Sequence, residues 1–333
     1  MLKVGLIGSG FIGEDHAEAI AGSDKVELAA VVNRSEESGR KLADKYNCKY
    51  YQSAEEMLEK EDIDFIDICV ATHVHEEMVL LGAKHKVHVL CEKPVTLTLE
   101  SLDRMIDATE KAGVKFMVAQ VIRFWPEYVK IKEMLDNGDF GRIKMVYANR
   151  LSQFPAWMGW NTDPNQSGGG LYDLHLHDID VARFMFGEAD SVYAVGYKNE
   201  DDCWNHVVTS LTFKNGVTCA IEGAYEMTDD FPFTMTYRVV GQDVTAEYNL
   251  GAGMNLEDPS SFRRALMRYE TGKAPVKVPI DELNAYQLEI DYFADCIAED
   301  KEPELVPIEE SRDVIRIMLA IKESLETGKV IKL

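Results

Sequence analysis

Residues 5–16 read GLIGSGFIGEDH, and their reading decides the fold. The run LKVGLIG (2–8) has the apolar character of a buried strand, and FIGEDHAEAIAG (11–22) reads as a helix. Between them Gly8, Gly10 and Gly13 satisfy G-x-G-x-x-G at the mouth of that helix. The first glycine allows a tight turn, and the second lets backbone approach a pyrophosphate. The third lets helix pack on strand, and the helix N-terminus faces the anion. A lone match is weak because glycine turns are common. Here the strand–turn–helix context and the N-terminal placement are both those of a dinucleotide site.

Working outward, the first third of the chain alternates strand and helix. VELAAVVN (26–33), DFIDICVA (64–71), VHVLC (87–91) and KFMVAQ (115–120) read as strands. SEESGRKLADKY (35–46), SAEEMLEK (53–60), HEEMVLLGAKH (75–85) and TLESLDRMIDATEKAG (98–113) read as helices. Ser53 with Glu56 forms a capping-box start, and Gly113 is a helix C-cap. Near-continuous apolar strands joined by helices predict a parallel sheet covered on both faces. After about residue 120 the pattern changes. A helix over PEYVKIKEMLDNG (126–138) and a long strand over RIKMVYANRL (142–151) lead into a polar and aromatic loop at 152–169. GLYDLHLHDIDVARFMFG (170–187) then reads as helical. The strands SVYAVGYK, HVVTSLTF, GVTCAIEGAY, FTMTYRVVG and VTAEYN follow without helices, which predicts an antiparallel meander with Asn215-Gly216 as a type I′ turn. Two late helices, at 282–300 and 309–328, are available to cover it. The expectation is a doubly wound α/β domain over 1–121, then an α+β domain over 122–333 for substrate and subunit contacts. That second domain has a large, open, mostly antiparallel sheet, and its late helices are free to pack back on the first domain.

The 333 residues suit two domains. The formal charge of −23 is the opposite of a nucleic-acid footprint and disfavours anionic membranes. No run reaches the roughly 20 apolar residues of a membrane span, and the N-terminus lacks the marks of a signal peptide, so a cytoplasmic location is expected. The six cysteines include no C-x-x-C pair and read as reduced structural thiols.

The strand at 26–33 ends in Asn33, where an NAD site usually has an acidic ribose reader, and Arg34 follows. Loss of the carboxylate suits a 2′-phosphate, yet an asparagine still bonds a hydroxyl, so NAD and NADP stay balanced. The strand at 87–91 runs into Glu92-Lys93-Pro94. Its carboxyl end is where such sheets bind ligands, and Pro94 keeps Lys93 out of helical geometry. Glu92 is placed to hold the amine or the turn.

Three motifs in this order, the glycines at 8–13, CEKP at 91–94 and GGGLYDLHLHDID at 168–180, resemble the Gfo/Idh/MocA oxidoreductases. DNGDFGRI (136–143) extends the resemblance, which covers nearly the whole chain. It implies a nicotinamide-dependent enzyme acting on sugars, cyclitols or related alcohols, with Lys93, Asp173 and His177 as catalytic residues. It also implies a homodimer or homotetramer built on the second domain's sheet. The chain departs from the family's pattern at Thr72-His73-Val74-His75, in KHKVHV before the E-K-P strand, and at His175.

Alcohol oxidation needs a hydride acceptor and a base with a pKa near the working pH. Histidine qualifies, and lysine does when burial or a positive neighbour lowers its pKa. Asp173 and His177, four apart on a helix, share a face, and Asp180 is spaced to orient His177. Helical His175-x-His177 is a poor chelate, so no metal is expected; His175 is a pocket wall, a substrate contact or a core histidine. Gly8, Gly10, Phe11, Ile12, Gly13, Asn33, Arg34, Thr72, His75, Glu92 and Lys93 are expected at the cofactor, NAD or NADP. Arg123, Asn149, Gln153, Trp157, Asn161 and His175 are expected at a small polyol, sugar or glycoside. Two rival readings are a glycosidase of the same build that oxidises transiently with NAD, and a non-catalytic cofactor-binding sensor.

Overall fold

A computed structural model of the chain describes residues 1–154, 162–252 and 263–333. The chain divides into two units, residues Met1–Phe124 with Leu283–Arg312, and Trp125–Glu282 with Asp313–Leu333.

In the first unit the strands β1 (Leu2–Ile7), β2 (Val26–Val32), β3 (Lys49–Tyr51), β4 (Phe65–Ile68), β5 (His88–Glu92) and β6 (Phe116–Ala119) form one sheet in the order β3-β2-β1-β4-β5-β6. Every pairing is parallel. All four residues of β4 are buried, as a strand with both faces covered requires. β3, only three residues long, carries no periodic signal of its own. Helices α1 (Phe11–Gly22), α2 (Glu36–Lys45), α3 (Ala54–Lys60), α4 (Thr72–His85) and α5 (Leu99–Ala112) connect the strands, and a later helix, Ala285–Ala298, packs on α1. Ser53 caps α3 by accepting the Glu56 N–H, and Gly113 ends α5 at φ +69°. The order reverses between β2 and β4 on either side of β1, so the crevice lies at the carboxyl ends of β1 and β4.

The second unit carries a nine-stranded sheet. Its strands are β7 (Met145–Leu151), β8 (Ala189–Lys198), β9 (Trp204–Phe213), β10 (Thr218–Ala224), β11 (Thr234–Val240), β12 (Val244–Gly251), β13 (Arg263–Glu270), β14 (Val276–Lys277) and β15 (Ile331–Lys332). It is not a simple meander. β7 lies between β10 and β11, antiparallel to β11 but parallel to β10. Strand order depends on pairings distant in sequence, which local alternation does not encode. The Asn215-Gly216 turn also differs from type I′. Gly216 N–H bonds Phe213 O, Phe213 N–H bonds Val217 O, and only Gly216 has a positive φ, +85°. This is a longer hairpin loop closed by a glycine bulge.

The stretch after the three glycines is not one regular helix. Leu171–His175 is a π-turn, followed by an α-helix (Leu176–Phe186) ended by Gly187. The helix is anchored on the sheet by a buried ion pair. Arg150 Nε and Nη2 of β7 lie 3.0 and 3.2 Å from the two Asp178 oxygens. Both side chains are almost wholly buried, and burial raises the Asp178 carboxyl against the pull of Arg150. Removing one partner leaves an uncompensated buried charge. Arg150→Met is therefore expected to lower unfolding free energy by about 3–5 kcal/mol in guanidinium denaturation. A loss under about 1 kcal/mol would show that the pair does not anchor this helix.

Candidate active site

The cofactor half is built at the end of β1. Gly8 has φ +112°, and a Cβ there would stand 2.3 Å from the carbonyl oxygen of Cys69. A Cβ at Gly13 would stand 2.3 Å from Gly8 O. These two glycines are therefore demanded by the protein's own packing. At Gly10 a Cβ would meet nothing within 4 Å among the described residues. Gly10 is also the N-cap of α1 and makes no side-chain cap, so the first N–H groups of that helix open on this space. Ser9 Oγ is buried beside it with no hydrogen-bond partner among the described residues. An open approach over backbone N–H groups and an unsatisfied hydroxyl fit the pyrophosphate of a dinucleotide. Phe11 is exposed and Ile12 half-buried at the same turn.

After β2, Asn33 Nδ2 donates to Ser35 O (3.1 Å) and Ser38 Oγ (2.7 Å), while Tyr50 Oη donates to Asn33 O. With its N–H groups engaged, the amide offers an acceptor oxygen to a hydroxyl. Arg34 beside it is exposed. Thr72 is buried at the first turn of α4. His75 is 1% exposed and does not reach outward. Its Nε2 is 2.9 Å from Val70 O and its Nδ1 3.0 Å from Pro94 O, so it braces the exit of β4 against the exit of β5. Burial lowers its pKa.

The E-K-P segment follows β5, with a cis Lys93–Pro94 peptide. Glu92 is buried, and its Oε2 accepts the Lys93 backbone N–H at 2.8 Å. Its Oε1 lies 3.2 Å from Nε2 of His16, a fully buried residue of α1. His16 Nδ1 in turn lies 2.8 Å from Asp67 Oδ2 of β4. This network was missed in the sequence. Its signal was present: Asp67 interrupts the apolar strand FIDICV, and a buried carboxylate requires a partner.

In the second unit, Gly168 and Gly169 take φ +74° and +69°. Gly170 N–H then donates to Asn205 Oδ1 at 2.8 Å, which fixes where the π-turn begins. From Leu171 to Asp180 only Asp173 and His177 escape burial. Asp173 Oδ2 accepts a 2.5 Å hydrogen bond from Tyr225 Oη, whose pKa burial and then Asp173 push far up, so the phenol stays a donor. Tyr225, at the end of the strand pattern, gave no sign of this role. Asp180 is buried.

Three expected substrate residues are placed elsewhere by their partners. His175 is fully buried, bonded through Nε2 to Thr209 Oγ1 at 2.8 Å, and closely faced by Gly223. Burial pushes its pKa down to about 3, so it is a neutral core histidine. Arg123 is buried, with Nη1 donating to Leu305 O and lying 2.7 Å from Glu310 Oε2. Asn149 lies on the opposite sheet face from its neighbour Arg150, which bonds the Asp178 helix. Gln153 donates to Phe231 O. Trp157 and Asn161 lie outside the described residues. Among the described residues, one group, His16, Asp67 and Cys69, brings ligand-type atoms within 4.8 Å of one another.

A doubly wound sheet in the order 3-2-1-4-5-6 with an open glycine turn defines a dinucleotide-binding protein. The description "Oxidoreductase family, NAD-binding Rossmann fold" matches residues 2–120, and the GFO/IDH/MocA C-terminal domain matches 128–247. The chain belongs to the Gfo/Idh/MocA oxidoreductase family. Myo-inositol 2-dehydrogenase of Thermotoga maritima is 32% identical to it over 231 residues, 67% of this chain and 68% of that one. D-xylose 1-dehydrogenase (NADP(+)) 2 of Haloferax volcanii is 29% identical over 336 residues, the full length of both. The structure of aldose-aldose oxidoreductase from Caulobacter crescentus shares the fold at TM-score 0.88 and 22% identity, covering 100% of this chain and 99% of that one.

The two kinds of glycine separate experimentally. Gly10→Ala is expected to weaken NADH and NADPH binding about tenfold or more in fluorescence titration while the melting midpoint moves by only a few degrees. Gly8→Ala is expected to lose the fold itself. Equal cofactor affinity in Gly10→Ala would place the pyrophosphate elsewhere.

Proposed function

We propose that this oxidoreductase exchanges a hydride between NAD or NADP and a secondary alcohol of a cyclitol, sugar or glycoside, with Lys93, Asp173 and His177 carrying the chemistry. The observation behind the assignment is selective exposure: of the run from Leu171 to Asp180, only Asp173 and His177 leave the core. The names of the relatives, an inositol and a xylose dehydrogenase, support a polyol or sugar substrate.

Bound nicotinamide supplies the hydride acceptor, or the donor in the reverse direction. Gly10 and the N-terminus of α1 would hold its pyrophosphate, with Gly8 and Gly13 shaping the turn, and Asn33 and Arg34 would meet its adenosine ribose. Lys93, half-buried, is held from behind by the Glu92 carboxylate at its own N–H. Asp173 accepts from the Tyr225 hydroxyl, and a carboxylate there would stabilise an imidazolium at His177. The hydroxyl proton passes to His177 or to Lys93. Lys93→Met and His177→Ala are each expected to cut turnover about a hundredfold or more, with NADH and NADPH still binding. The assay is a screen of inositols, aldoses, other polyols and glycosides with each cofactor, following nicotinamide absorbance and product. Wild-type turnover in both variants would remove these residues from the chemistry.

The same reading makes the protein a cytoplasmic homodimer or homotetramer. Its six cysteines are free, in keeping with a reducing compartment. Among the described residues no helix is long and apolar enough to cross a membrane. On one face of β8 and β9, Tyr193, Val195, Tyr197 and Val208 are exposed, and Val195 pairs directly with Val208. An apolar, exposed strand face of this kind suits a subunit contact. Val195→Glu is expected to shift the sedimenting species to monomer in analytical ultracentrifugation; an unchanged oligomer would move the contact to another surface.

A further inference from the structure

We infer that His16 is a positioning residue for Lys93, acting through Glu92. The inference rests on the reading that Lys93 takes part in the reaction. Three contacts lie in series: Asp67 Oδ2 to His16 Nδ1 at 2.8 Å, His16 Nε2 to Glu92 Oε1 at 3.2 Å, and Glu92 Oε2 to the Lys93 N–H at 2.8 Å. Ionised carboxylates only accept hydrogen bonds. An imidazole bonded to one at each nitrogen must therefore carry both protons. Its charge then lies between two carboxylates, so the buried ion is paired on both sides. Burial lowers the His16 pKa, but Asp67 first and then Cys69 outweigh it and hold it well above its usual value.

The remaining groups facing the ring support this charge state. Cys69 Sγ donates to the other Asp67 oxygen at 3.6 Å, and burial beside Asp67 keeps it a thiol. Tyr286 lies against the ring at 5.2 Å between centroids and also stays protonated. Asp15, one residue before His16, has its pKa raised to about 6 by burial. A neutral core histidine would need only one carboxylate partner. A metal bound by His16, Asp67 and Cys69 would need a ring lone pair and a thiolate, and each is disfavoured where a proton already lies between the partners.

The consequence is mechanical. Glu92 uses one oxygen on His16 and the other on the Lys93 main chain, so its rotamer cannot change without releasing one of them. α1, which starts at the glycine turn, thereby also sets where the backbone at Lys93 stands. A displacement on the order of 1 Å at a reacting group costs about a hundredfold in rate.

The test uses the full-length protein and its His16→Gln, Glu92→Gln and double variants, with Lys93→Met as control. Brief labelling with acetic anhydride, read by peptide mass spectrometry, gives the reactivity of Lys93 relative to the exposed Lys41 without any substrate. Each single variant is expected to change that ratio about threefold or more, and the double variant no further, because the contacts act in series. NADH affinity of His16→Gln is expected to stay within about twofold, while kcat falls about tenfold or more on a substrate that the wild type turns over. Glu92→Gln is isosteric and carries the test if His16→Gln does not fold. A labelling ratio unchanged within error in folded variants would reduce His16 to a core histidine. Stoichiometric zinc in the purified wild type, lost in His16→Gln, would also overturn the inference. Wild-type turnover in Lys93→Met would instead strike the functional reading, leaving the labelling result to stand alone.

Discussion

The imidazole of His16 has no exposure to solvent and lies between Asp67 and Glu92. A charge in that position constrains everything around it. It ties α1 to β4 and β5, the elements whose ends form the cofactor crevice. If any of the three shifts, a buried ion loses its partner, at a cost of several kcal/mol. The same requirement keeps Gly8 pressed against the Cys69 carbonyl, where no side chain fits. The open space above Gly10 is thus the product of close packing on every other side.

The second unit obeys a similar rule with different residues. Arg150 and Asp178 form a buried pair that pins one helix to the sheet, and the Gly170 bond to Asn205 sets where the preceding turn begins. Between these two anchors the chain takes a π-turn, a form often found at functional sites. The extra residue in that turn shifts the phase of the helix. His175, Asp178 and Asp180 go inward, while Asp173 and His177 stay partly exposed. Two anchors thus decide which polar side chains of this segment stay out of the core.

Much of this was legible in the sequence, for physical reasons. Buried parallel strands must be apolar on both faces, so β1, β2, β4, β5 and β6 stand out as continuous runs. Glycines at 8, 10 and 13 are visible because packing or ligand approach excludes a side chain. The insertion of β7 between β10 and β11 was not legible, since it depends on partners some 70–95 residues away. The Asn215-Gly216 turn misled because Asn-Gly suits more than one hairpin, and here only the glycine is left-handed. His175, Arg123 and Asn149 were chosen as polar residues near motifs. Thr209 and Glu310, the partners of His175 and Arg123, come from other elements, and Asn149 bonds Tyr147 on the face of β7 turned away from Arg150. His16 was the reverse case: a polar residue on the apolar face of α1, facing an aspartate inside an apolar strand, and only their pairing explains both.

Transfer of isotope decides most directly whether this chain is a dehydrogenase of alcohols. Reduced nicotinamide carrying deuterium at C4 would be incubated with the oxidised form of a sugar or cyclitol that the protein turns over, and the product examined by NMR. Hydride exchange requires deuterium on the carbinol carbon of the product, delivered from one face of the nicotinamide only. Product formed with no deuterium at that carbon, or with hydrogen drawn from solvent instead, would contradict it.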